Sequence, residues 1–167
     1  MIDPYCFGQA LSPGRAITFV VTHDIPNNDV FLDLIMDEEN EWLAYAYILG
    51  RDGGVPLVYT DLNTSGITDK NGKPRWQGAW NDPRMAKMIQ FHNMTHGESM
   101  SVLEGNDDML VLKRGSKGIV VLNKSQRQQS LTLKMDGNWV DLMTDQDVPS
   151  DGKLTVPPKA SMLLVEN

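Results

Sequence analysis

Two apolar runs flanking a single helical stretch set the strongest limit on what this chain can fold into. Residues 17–21, Ile-Thr-Phe-Val-Val, are β-branched or aromatic at every position and follow a Ser12-Pro13-Gly14 turn. Residues 55–59, Val-Pro-Leu-Val-Tyr, form a second apolar strand, with Pro56 tolerable near its beginning. Between them the acidic turn Asp37-Glu38-Glu39 opens a helix that places Trp42, Leu43, Ala46, Tyr47 and Leu49 at helical spacings and ends at Gly50 and Gly53-Gly54. The result reads as a βαβ unit with an expected right-handed crossover. A strand apolar on both faces suits a parallel sheet that is covered on both sides. Two parallel strands and two helices cannot complete such a sheet, because an edge and a face stay bare. Residues 1–97 therefore read as the end of a larger α/β unit.

The second helix of that unit is announced by Asp82-Pro83, an N-cap followed by proline at the first helical position. It runs through Met85, Met88, Ile89 and Phe91 to about Thr95 and closes at Gly97. The loop before it, residues 60–80, is long for a compact domain and carries Trp76 and Trp80 among polar residues, which suggests a functional role. From Glu98 the texture changes. Six short segments with strand character (101–103, 109–113, 118–123, 130–135, 139–143 and 160–165) alternate with turn signals such as Gly105-Asn106, Arg114-Gly115 and Asp136-Gly137. Residues 98–167 are expected to form a small antiparallel β-sandwich or barrel.

Composition removes several function classes. Hydrophobic residues make up 41% of the 167, enough for a packed core. Fifteen Lys and Arg against 22 Asp and Glu give a net charge of -7, which disfavours nucleic-acid and anionic-membrane partners. No apolar run is long enough to span a bilayer. The start, Met1 to Arg15, has none of the parts of a signal peptide, so either the protein is cytoplasmic or this is not its natural beginning. The single cysteine, Cys6, has no His-Asn or His-Asp partner pattern to support a nucleophilic role.

Phe19-Val20-Val21-Thr22-His23-Asp24 resembles the strand-seven motif of α-amylase-type enzymes, glycoside hydrolase family 13, usually written F-V-x-x-H-D. Residues 43–49, Leu-Ala-Tyr-Ala-Tyr-Ile-Leu, look like the family's seventh helix. Gly54-Val55-Pro56-Leu57-Val58-Tyr59, with Asp61 close behind, looks like its eighth strand, commonly G-x-P-x-x-Y and then an acidic residue. The next helix and the β-rich tail match the family's order, so the likeness covers nearly the whole chain from residue 16. It implies the last two β/α units of a (β/α)8 TIM barrel in residues 1–97, followed by an antiparallel β domain in 98–167.

By this resemblance Asp24 is the transition-state-stabilising carboxylate of a retaining α-glucan hydrolase, and His23 binds a hydroxyl of the same sugar. Catalytic groups of such barrels sit at the carboxyl ends of strands, where His23 and Asp24 fall. Adjacent side chains converge on one ring only where a strand gives way to a loop. The family's nucleophile and acid/base carboxylates, which must lie about 5 Å apart, belong to strands four and five and match no segment here. The chain alone is expected to be inactive, with the missing barrel segment or self-association completing it. No cofactor is expected in this chain; calcium is an expectation for the complete enzyme only. Enzymes acting on polymeric starch meet it outside the cell, which leans towards secretion. A different class stays open: a non-catalytic remnant binding glucan or protein.

Other residues carry two readings. Asn27 and Asn28 line the substrate cleft or form a plain loop. Trp76 and Trp80 stack on sugar rings or pack the long loop, and Trp76 is kept as a substrate-binding candidate. His92 and His96 have the i,i+4 spacing of a metal pair but lack a third ligand and read as an ordinary pair. Trp42, Tyr45 and Tyr47 read as helix packing.

Overall fold

The computed structural model describes residues 13–62 and 64–167. Cys6, along with everything before Pro13, lies outside the described residues. The first two strands, β1 (Ile17–Phe19) and β2 (Val55–Leu57), pair in parallel with Ile17 opposite Val55 and Phe19 opposite Leu57. Between them runs α1 (Glu38–Gly50), whose N-cap Asp37 accepts from the Asn40 amide at 2.8 Å. The strands are shorter than the apolar runs that announce them. Val20 and Val21 leave the ladder yet stay buried, because the chain turns at residues 23–27 while their side chains still face the core.

Only one face of this sheet is covered. Thr18 and Pro56 are half-buried, whereas Ile17 (65% exposed), Phe19 (51%), Val55 (63%) and Leu57 (44%) line up on the other face in the open. The period-two alternation of a strand sends these four to the same side. They form an apolar strip that no other described segment covers. The expected coverage on both sides is thus absent among the described residues.

Helix α1 buries Leu43, Tyr45, Ala46, Ile48 and Leu49, which spread around much of its circumference. Such a helix is a core element packed on more than one side. It touches β1, the second helix α2 (Pro83–Met94) and the β-rich tail. Asp82 caps α2 by accepting from the Arg84 amide at 2.8 Å, as the Asp-Pro pair predicts.

The tail holds eight strands, two more than expected. β3 (Met100–Gly105), β4 (Met109–Arg114), β5 (Gly118–Asn123), β10 (Ser161–Glu166), β7 (Trp139–Asp141) and β8 (Gln146–Asp147) form one antiparallel sheet in that order. β6 (Gln129–Thr132) and β9 (Lys153–Val156) form a two-stranded ribbon. The additional strands are short, β8 polar at both positions and β9 polar at alternate ones, so neither stands out as an apolar run.

Strict alternation divides the large sheet between two cores. Val111, Ile119, Val121 and Leu164 face the ribbon and pack with Leu154, Val156 and Trp139. Leu112, Val120, Leu122, Leu163 and Val165 face the other way and join Leu43, Ala46, Leu49, Met85, Met88 and Phe91 of the two helices. The core therefore runs across residue 97 without a break. Gly50 marks the closest approach: a Cβ there would meet Val120 Cγ2 at 2.6 Å. Only glycine lets the end of α1 sit so close to β5.

Candidate active site

Beyond the carboxyl end of β1 the chain makes a tight turn through residues 23–27 and enters a two-turn 3-10 helix, Asp29–Leu34. His23 and Asp24 sit side by side at the start of this turn, with His23 Nε2 3.3 Å from Asp24 Oδ1. Their side chains are 81% and 66% exposed, so both are free to reach a molecule outside the protein. Asn27 and Asn28 share the same shallow, open concavity, together with Asp29 and Val30. Four of the five residues expected from the sequence are thus brought together.

The two asparagines have structural work as well. Asn27 donates from Nδ2 to the His23 carbonyl at 2.8 Å and closes the turn. Asn28 accepts from the Val30 amide at 3.0 Å and caps the 3-10 helix. Both are uses that short amide side chains serve in loops generally.

Trp76 is placed elsewhere, and the expectation that it stacks on substrate is corrected. Its ring is 1% exposed, meets Tyr59 edge-on at a centroid distance of 6.0 Å, and donates from Nε1 to Glu41 Oε1 at 2.7 Å. No ring face is left for a sugar. The indole packs the long loop onto α1, because a buried N–H needs an acceptor and Glu41 supplies one. Trp80 stays 59% exposed.

Glu41 is the centre of a buried cluster that sequence reading missed. Arg75 Nη2 donates to Glu41 Oε2 at 2.7 Å and to the Met36 carbonyl at 2.6 Å. Burial pushes the Glu41 carboxyl above its ordinary range, against the opposing pull of Trp76 and Arg75. Glu41, Arg75 and Trp76, with Trp42, Tyr45, Asp82 and Arg84, line a second cavity between the starts of α1 and α2, away from His23 and Asp24. Its polar walls are largely occupied by one another: Arg84, for example, lies 3.8 Å over the Trp42 ring and also binds Asp82.

Asp61, noted in the sequence only as the acidic residue behind the second strand, is 3% exposed just past β2. Its carboxylate accepts from the amide and hydroxyl of Thr64 at 3.0 Å each, and from the amide and hydroxyl of Ser65. Burial works to raise its pKa, but the hydrogen bonds from Ser65 and Thr64 outweigh burial and bring it down to about 2. The acidic residue trailing the G-x-P-x-x-Y pattern was the available signal; its role as a loop organiser was not readable.

His92 uses Nδ1 to contact the Leu49 carbonyl at 3.1 Å, and its ring lies 6.1 Å from that of His96. Among the described residues no group of three or more His, Cys, Asp or Glu is arranged to hold a metal ion.

No family model matches the chain. It is 44% identical over 142 residues to an alpha-amylase of Aeromonas hydrophila, a match covering 83% of this chain and 30% of that protein. The fold is similar to alpha-amylase I of Eisenia fetida, with a TM-score of 0.70 at 18% identity over 93% of this chain and 42% of the other. The maltohexaose complex of that enzyme superposes with a TM-score of 0.65 at 17% identity, over 94% and 42%. Sequence and fold together make the chain a relative of alpha-amylases that spans under a third of the curated relative's length.

Proposed function

We propose that this chain is the C-terminal part of a retaining α-glucan hydrolase, in which Asp24 stabilises the transition state and His23 binds the sugar beside it. The observation that carries the reading is the exposed His23–Asp24 pair at the carboxyl end of β1 within a parallel βαβ unit. In this reading β1–α1 and β2–α2 are the seventh and eighth units of a (β/α)8 barrel, whose reactive groups gather at the carboxyl ends of strands. The bare strip of Ile17, Phe19, Val55 and Leu57 supports it, since these positions would fill the barrel interior.

Glycosidic cleavage passes through an oxocarbenium-like state with positive charge spread over the sugar ring. Asp24 would accept hydrogen bonds from ring hydroxyls, and these strengthen as that charge develops. His23 would orient a hydroxyl on the same ring. The nucleophile and the acid/base carboxylate come from the missing barrel strands, so the 167-residue chain alone hydrolyses nothing. Its partners are an α-glucan and that missing segment.

The test is complementation. The chain is co-expressed with the N-terminal segment of the Aeromonas hydrophila relative, and starch hydrolysis is measured. Restored activity that disappears in Asp24→Asn is the expected result. A folded complex without activity overturns the reading and favours a non-catalytic glucan-binding module.

A further inference from the structure

A continuous set of hydrogen bonds leads from the buried Asp61 to the backbone of His23. Asp61 holds Thr64, as described. Thr64 reaches Asn27: its hydroxyl lies 3.3 Å from Asn27 Oδ1, sharing its proton between that oxygen and Asp61. Asn27 in turn donates to the His23 carbonyl. At the far end, the Asp61 amide donates to the Trp76 carbonyl at 3.1 Å, which ties the assembly to the Glu41 cluster in the core.

We propose that Asp61 is a positioning residue for the His23–Asp24 turn, acting through Thr64 on Asn27. The inference rests on the reading of that turn as the glucan-facing edge. The turn needs such support because its own backbone offers little: its one hydrogen bond among the described contacts runs from the Ile25 amide to the Thr22 carbonyl at 3.3 Å. Two exposed side chains on a loop cannot hold the sub-ångström geometry that substrate orientation demands unless neighbouring groups lock them. Asp61 can supply this because it is itself immobilised by four donors from residues 64 and 65. An amide at the same position would bring its own donor up against those four.

Backbone ¹⁵N relaxation of the full 167-residue chain tests the proposal without reference to hydrolysis. In the unsubstituted chain, residues 23–27 should show order parameters near the rigid-backbone value of about 0.85. In Asp61→Asn, and separately in Thr64→Val, they should fall below about 0.6 while Val120 and Leu164 stay rigid. Thr64→Ser, which keeps the hydroxyl, should retain the rigid turn. A turn already mobile in the unsubstituted chain, or one that stays rigid in both variants, overturns the proposal. Because no substrate or barrel partner is involved, a failed complementation would sink the glucan reading and leave this result standing.

Discussion

Arg114, the last residue of β4, donates from Nη1 to the carbonyl of Gly50, the last residue of α1, at 2.7 Å across 64 positions of sequence. Its Nη2 donates to the carbonyls of Thr95 and Glu98 at 3.0 and 3.1 Å, where α2 ends. Two helix C-termini, each with unpaired carbonyls and partial negative charge, thus converge on one buried guanidinium. Removing it leaves three acceptors without this donor. Arg114→Met should cost about 3 kcal/mol in urea unfolding. Arg114→Lys should recover little, because an ammonium cannot span the same fork.

The contact between Gly50 and Val120 predicts a second stability effect. Gly50→Ala introduces a methyl group 2.6 Å from Val120 Cγ2. Overpacking of this kind costs about 1–3 kcal/mol. Adding Val120→Ala makes room for the methyl group, so a double-mutant cycle should show a favourable coupling between the two sites. Additive effects would place the clash elsewhere.

Asp61 predicts an acid limb. Its folded pKa, about 2, lies below the unfolded value, so its contribution is complete above pH ~4 and is lost as pH falls towards about 2. Urea midpoints measured between pH 5 and pH 2 should decline in the unsubstituted chain. The decline should be shallower in Asp61→Asn, whose stability is already lower at pH 5.

At Glu41 the sign is reversed. Burial raises its pKa, so the charged form is the costly one and this cost grows as pH rises through the folded pKa. Glu41→Gln keeps one acceptor for Trp76 or Arg75 but turns an amide N–H against the other donor, and should cost about 1–2 kcal/mol. Glu41→Ala strands a buried indole N–H and the Arg75 guanidinium together, and should lose about 3 kcal/mol. Thermal melts of the two variants give the comparison.

The bare strip on β1 and β2 predicts self-association of the chain on its own. Apolar patches of this size beside unpaired strand edges are rarely left in water. Sedimentation velocity should show oligomers at micromolar concentration that diminish in Phe19→Ser/Leu57→Ser. A monodisperse monomer in the unsubstituted chain would contradict the prediction.

Local signals were sufficient for much of the molecule. Asp37 and Asp82 marked where the helices begin because capping depends on residues a few positions apart. The parallel pairing of residues 17–19 with 55–57 followed from two apolar runs around one helix. His23 and Asp24 stood out through their resemblance to a family motif, and both lie exposed on the turn just past β1. Strands β8 and β9 escaped because both are short, β8 with two exposed polar residues and β9 exposed at every other position, with no pattern distinct from a turn.

What only the tertiary structure decided depends on pairs far apart in the chain. Trp76 reads the same on paper whether it faces a sugar or Glu41, and 35 positions separate it from the acceptor that buries it. Asp61, Thr64 and Asn27 are ordinary polar residues until the two strand ends come together. Arg114 and Gly50 meet only after both faces of the large sheet have found their cores. Composition and periodicity determine which residues leave water and in what local conformation; which buried polar group satisfies which is settled by packing, and no one-dimensional pattern encodes it.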